Sequence, residues 1–136
     1  MATRSILVVE DDAAIRNTLT ALLDFKGYRW EEAANGQEAL DQLAKVSRPC
    51  LILLDLMMPV MSGWEFLEKI AQDSSLAQIP IVVVSAYSEK AKDLPVKAVL
   101  KKPIDLRLLT QVIEQYCGGA PSLQASSSSD PSPGKD

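Results

Sequence analysis

Leu51-Ile52-Leu53-Leu54-Asp55 runs straight into Leu56-Met57-Met58-Pro59. Four large apolar residues, ended by one carboxylate and soon followed by a proline, describe a strand buried on both faces whose last residue emerges at a sheet edge. Asp55 is that residue. Parallel strands of α/β sheets end in the crevice where such sheets bind ligands, so a carboxylate there is placed for chemistry. Taken alone, Asp55 reads equally well as a turn former ahead of Pro59. Three other strand ends decide between the two.

Working outward, Ile6 to Val9 is a short apolar run closed by Glu10-Asp11-Asp12. A helix then opens on Asp12 as N-cap, carries Ile15, Leu19, Leu22 and Leu23 on one stripe and stops at Gly27. Tyr28 to Ala33 is a more polar strand suited to a sheet edge, Asn35-Gly36 turns the chain, and a second helix aligns Ala39, Leu40, Leu43 and Ala44. Beyond Asp55, the loop Leu56 to Ser62 leads through Gly63 into a helix with Phe66, Leu67, Ile70 and Ala71 on one side. Ile81 to Val84 is a second β-branched buried run, ending in Ser85-Ala86. Tyr87 to Leu94 has room for a short helix before Pro95. Ala98-Val99-Leu100 supplies a fifth strand ending in Lys101-Lys102-Pro103, and Asp105 caps a last helix bearing Leu109, Val112, Ile113 and Tyr116.

Five β-then-α units call for an α/β fold: a doubly wound, five-stranded parallel sheet with helices on both faces. The flavodoxin-like strand order 2-1-3-4-5 puts the most apolar strands in the middle and the polar second strand at an edge. Strands one and three then meet at the topological switch point, bringing Glu10, Asp11 and Asp55 together.

A chain of 136 residues with 47% hydrophobic and 24% charged residues is ordinary for one globular domain. That domain is expected over residues 1–118. Residues 119–136, with a four-serine run and three prolines, read as a flexible tail or linker. They are too few and too polar to be a DNA-binding domain, and the net charge of −4 argues against a nucleic-acid surface. Nothing long enough to span a membrane is present, and a cytoplasmic location is expected. Cys50 and Cys117 are far apart in sequence and read as separate, reduced packing residues. The chain has no histidine, which excludes a His-based triad and any phosphohistidine of its own.

Three carboxylates gathered at the switch point need a cation or protons, because two of them about 4 Å apart repel by roughly 4 kcal/mol at an effective dielectric of 20. An all-oxygen cluster suits Mg²⁺. With the metal neutralising an incoming phosphoryl group, Asp55 could attack phosphorus and become an aspartyl phosphate. Lys102 offers a positive charge and Ser85 a hydroxyl for the phosphoryl oxygens.

This arrangement resembles the receiver domain of two-component response regulators. The matching residues are Ile6 to Asp11, Asp55-Leu-Met-Met-Pro59-Val-Met-Ser-Gly63, Ser85-Ala86 and Lys102-Pro103. The resemblance implies that Asp55 is the phosphoacceptor, that Asp11, Asp55 and the backbone carbonyl of Met57 hold Mg²⁺ with Glu10 acting through water, and that Ser85 is the switch hydroxyl. It also implies that Lys102 binds the phosphoryl group ahead of a cis bond to Pro103. The partners it implies are a histidine kinase or histidine phosphotransfer protein and a downstream protein target. Such a domain modifies and dephosphorylates only itself and is not an enzyme acting on a separate substrate.

Two features depart from the pattern. Val99 stands where receivers commonly carry an aromatic that swings inward, and valine has neither a polar tip nor the reach for that motion. Tyr87, two residues after Ser85, is the candidate substitute over the site. The stretch between Ser85 and Lys102 is also short. These departures support an alternative, a receiver-fold interaction module that works without phosphorylation. A phosphohydrolase is disfavoured because Met57 occupies the position of its general acid, and flavin binding because the acidic first loop would repel the flavin phosphate.

Overall fold

The computed structural model describes residues 5–45, 48–87, 91 and 93–118. The expected tail and part of the expected short helix over 87–94 lie outside these residues. The elements alternate as β1 (Ser5–Val9), α1 (Ala13–Lys26), β2 (Arg29–Ala33), α2 (Gly36–Lys45), β3 (Leu51–Leu54), α3 (Gly63–Ala71), β4 (Ile81–Ser85), β5 (Ala98–Lys101) and α4 (Leu106–Cys117), with a 3-10 turn at Leu76–Gln78 between α3 and β4. All neighbouring strands are parallel, in the expected order β2-β1-β3-β4-β5.

Alternation along the strands builds two core layers. Ile6, Val8, Leu51, Leu53, Val82 and Val84 pack with Leu19 and Leu23 of α1 and Leu109 and Ile113 of α4. On the opposite face, Leu7, Val9, Ile52, Leu54 and Ile81 meet Ala39 and Leu43 of α2 and Phe66, Leu67 and Ile70 of α3. Ala71, expected on that apolar side, is exposed at the end of α3. β3 is buried from Leu51 to Leu54 because it lies mid-sheet between both layers.

Helix ends are set by short polar side chains. Asp12 accepts from the amides of Ala14 and Ile15, and Asp105 from those of Arg107 and Leu108, each cap worth about 1 kcal/mol. Asn35 does more than turn the chain: α2 begins at Gly36, and the Asn35 side chain accepts from the Glu38 amide at 2.9 Å. Ser62 and Glu65 form a capping box on α3, fixing the return from the loop after Asp55.

The expectation of two separate thiols is corrected: Cys50 and Cys117 are joined as a disulfide. Cys50 precedes the central strand and Cys117 ends the helix that packs across it, so residues 67 apart in sequence have Cα atoms 5.4 Å apart. Sequence separation conceals this neighbour relation; the strand order creates it.

Val60, in the loop after Asp55, has φ of 67° and is 80% exposed. A β-branched residue is strained in that left-handed region, and little packing offsets the strain here. Val60→Gly is therefore expected to stabilise the protein by about 1 kcal/mol, read as a higher urea midpoint with unchanged slope.

Candidate functional site

The carboxyl ends of β1, β3, β4 and β5 converge on one edge of the sheet. There a cavity of about 210 Å³ is lined by Glu10, Asp11, Asp12, Asp55, Met57, Ala86, Tyr87 and Lys102, among others. Glu10 and Asp55 each follow a buried strand directly and are themselves buried, at 2% and 5% exposure, whereas Asp11 is exposed. Their backbones are held by the sheet, the Glu10 amide donating to the Ala33 carbonyl at 3.0 Å and the Asp55 amide to the Val9 carbonyl at 2.9 Å. One carboxylate oxygen from each of Glu10, Asp11 and Asp55 lies within 4.8 Å of the others.

Lys102 enters from β5, just before a cis bond to Pro103, with its amide donating to the Ser85 carbonyl at 3.1 Å. Its ammonium lies 2.9 Å from Glu10 Oε1 and 3.6 Å from Asp55 Oδ1. Burial alone would lower the Lys102 pKa, but the bonds to Glu10 and the nearby Asp55 hold it above the usual value. Burial raises Glu10 from 4.5 to about 7 against the pull of Lys102, and burial likewise raises Asp55. Three carboxylates facing one ammonium are short by two positive charges when ionised, the charge of a single divalent cation. An all-oxygen donor set with one exposed member, Asp11, fits Mg²⁺.

The raised Glu10 value has a consequence for the metal-free protein. Between pH 4.5 and about 7 the folded state keeps a proton that the unfolded chain has released, so stability falls as pH rises through that window. The loss is expected to be on the order of 2 kcal/mol. Urea denaturation in EDTA, comparing wild type with Glu10→Gln, should show the variant lacking most of this slope; parallel pH profiles would refute it.

Ser85 is wholly buried at the end of β4, and its Oγ accepts from the Tyr87 amide at 3.0 Å, leaving the hydroxyl proton available to an acceptor. Tyr87 is half exposed and lines the same cavity, as does Met57, whose amide lies 3.5 Å from Asp55 Oδ1. Val99 is not among the lining residues. It packs, partly buried, in a cluster with Leu56, Val83, Ala91 and Trp64 on the side of the sheet facing away from α1.

One supporting residue escaped the sequence reading. Arg16 of α1 donates from Nη1 to the Glu10 carbonyl at 2.7 Å and from Nε to Glu32 at 3.1 Å, tying the acidic loop to the edge strand. An arginine in a helix's first turns carries no sequence signal for that role.

Acids, a serine and a lysine thus stand together at the strand ends of this sheet. Residues 6–114 match the response regulator receiver domain family. The polar-differentiation response regulator DivK of Brucella anthropi is 33% identical over 122 residues, covering 86% of this chain and 98% of the relative. Among solved structures, a response regulator receiver protein from Pseudomonas putida superposes with a TM-score of 0.77 at 29% identity, over 85% of this chain and 98% of that one. The receiver domain of a sensor histidine kinase from Pseudomonas aeruginosa, solved with a magnesium ion coordinated in its active-site cleft, gives a TM-score of 0.74 at 25% identity, over 87% and 100%. With its sheet order, its acidic strand ends and its near full-length match to single receivers, this chain belongs to the response regulator receiver domain family.

Proposed function

We propose that this receiver domain takes a phosphoryl group from the phosphohistidine of a histidine kinase or phosphotransfer protein onto Asp55, and then changes the partners it binds. The observation that carries this reading is the buried Asp55 carboxylate, 3.6 Å from the Lys102 ammonium inside a group of three convergent carboxylates. Asp55 Oδ attacks phosphorus, the nitrogen–phosphorus bond breaks, and the imidazole leaves with the electron pair. Lys102 neutralises charge on the transferring oxygens, and the Ser85 hydroxyl donates to one of them. Glu10, Asp11 and Asp55, with the Met57 carbonyl, would hold Mg²⁺, which supplies charge neutralisation at the phosphoryl group. Phosphorylation pulls Ser85 toward the new oxygens and away from the Tyr87 amide, coupling the site to the exposed Tyr87. The aromatic swing common in receivers has no side chain for it at Val99.

The domain acts in the cytoplasm, where a kinase has ATP, and it modifies only itself. Residues 1–118 form the receiver and residues 119–136 a tail or linker. Intact mass after incubation with acetyl phosphate, in Mg²⁺ and in EDTA, tests the proposal. One phosphoryl group gained only with Mg²⁺ is the expected result. No gain in a folded, Mg²⁺-binding protein, even with a phosphorylated histidine donor, would favour an interaction module that works without phosphorylation.

A further inference from the structure

The Cys50–Cys117 disulfide lies at the opposite end of β3 from Asp55. Cys50 immediately precedes β3 and Cys117 is the last residue of α4, so the bond ties the end of the final helix to the base of the central strand. A second tie lies beside it, the Tyr28 hydroxyl donating to the Gly118 carbonyl. The two residues differ in burial: Cys117 is wholly buried, while Cys50 is only partly so. Cys50 is held in place independently of its sulfur, its amide donating to the Ser5 carbonyl at 2.8 Å. Both side chains pack in the layer around Ile6, Leu51 and Ile113, where a reduced cysteine serves as a small apolar residue. Loss of the bond therefore removes a link without removing the packing beneath it.

We infer that the Cys50–Cys117 disulfide is a reversible redox clasp on the last turn of α4, opened by a dithiol reductant. A thiolate of the dithiol attacks Sγ of Cys50, the less buried of the two residues, the disulfide breaks, and the electron pair leaves with Cys117 Sγ, which takes up a proton. The second thiol of the reductant then attacks the mixed disulfide. It closes a cyclic disulfide on the reductant and releases Cys50 as a thiol. Two electrons and two protons pass from the dithiol to the protein. The open form keeps the sheet and the acidic site, and it leaves the last turn of α4 held only by its packing and by the Tyr28 hydroxyl on the Gly118 carbonyl. Protein disulfides in reducing compartments are mostly transient or redox-sensing, which suits the cytoplasmic setting proposed above. The clasp itself stands on the cysteine geometry and is tested without reference to phosphorylation.

The test titrates the folded full chain with dithiothreitol, blocks free thiols with iodoacetamide, and follows intact mass together with hydrogen exchange. Two alkylations are expected to appear together while the protein stays folded. Exchange at residues 112–118 should rise tenfold or more, with the amides around Asp55 unchanged. The thermal midpoint should fall by on the order of 10 °C, as expected for opening a loop of this length. Reoxidation should restore all three readings, and Cys50→Ala should show the fast exchange without reductant and no response to it. Two alkylations in the untreated, air-exposed protein would overturn the clasp. So would a bond that yields only after global unfolding, or a reduced form whose α4 exchanges as slowly as the oxidised one.

Discussion

Asp55→Asn is expected to abolish phosphoryl uptake while stabilising the metal-free protein near neutral pH. Loss of uptake follows because an amide oxygen is not a competent nucleophile toward phosphorus, and among the described residues no other carboxylate combines the burial of Asp55 with a place beside both Lys102 and the Ser85 strand end. Glu10 comes nearest, but its Oε1 is already bound to Lys102 at 2.9 Å and its Oε2 accepts from the Asp12 amide at 3.1 Å. The gain in stability follows from the electrostatics. Burial makes the ionised Asp55 unfavourable and raises its pKa against the pull of Lys102, and the Asp55 charge in turn raises Glu10. An asparagine imitates the neutral acid and keeps the shape. The variant forgoes the 3.6 Å attraction to Lys102, but Glu10 keeps that ammonium paired.

Relieving one like-charge contact should be worth on the order of 1 kcal/mol, the lower end of carboxylate repulsion at such distances. A carboxyl with a raised folded pKa costs stability above that pKa and none below the unfolded one, so the advantage of Asn should be present at pH 7.5 and gone near pH 4. Urea denaturation in EDTA at those two values reads it. Addition of Mg²⁺ should reverse the ranking, because wild type then gains binding energy that the variant has lost. Undiminished phosphoryl uptake by the variant would place the acceptor elsewhere. A variant less stable than wild type in EDTA at pH 7.5 would mean that the contacts of Asp55 to Lys102 and to the Met57 amide outweigh the repulsion.

The convergence of Glu10, Asp55 and Ser85 on one edge was legible because each stands where a hydrophobic run stops. Val9 to Glu10, Leu54 to Asp55 and Val84 to Ser85 are abrupt changes from buried aliphatic to polar, and a parallel sheet puts all such ends on one edge. Asp12 and Asp105 were legible as caps because capping is local chemistry between a side chain and amides two or three residues on. Relations between distant segments were another matter. The Cys50–Cys117 bond depends on α4 lying across β3, and two isolated cysteines carry no record of it. The direct bond of Lys102 to Glu10, where the expected role of Glu10 was through water, depends on how far a flexible lysine reaches across two strand ends. Arg16 was missed for the same reason, its target being a backbone carbonyl that sequence does not advertise.

Gly63→Ala is expected to destabilise the protein by about 2–4 kcal/mol, although the substitution puts a better helix former in the first turn of α3. Intrinsic propensity favours alanine by roughly 1 kcal/mol. Against this, a Cβ at Gly63 would lie 2.5 Å from the Asp55 carbonyl oxygen and 2.8 Å from the Leu56 Cα, both backbone atoms of a buried segment. The Gly63 amide donates to the Leu56 carbonyl at 2.9 Å, so the close approach is part of how the loop returns to the sheet. Relief requires either lifting α3, with Phe66, Leu67 and Ile70 buried beneath it, or displacing Asp55 and Leu56. Overpacking of this kind exceeds the gain in propensity.

Gly36→Ala is the control. Its Cβ would meet Met61 Cγ at 2.8 Å and Sδ at 3.0 Å, the movable part of a flexible side chain, although the Met61 carbonyl oxygen is also at 3.0 Å. The cost there should be about 1 kcal/mol or less, because the thioether can rotate aside and alanine repays part of it. Urea midpoints of the two variants compare them directly. Equal midpoints would show that the loop after Asp55 yields as readily as a methionine side chain. If Gly63→Ala is the more costly, the same displacement should slow phosphoryl uptake from acetyl phosphate even though Asp55, Lys102 and Ser85 are all intact, because the carbonyl being pushed belongs to the residue whose carboxylate must attack.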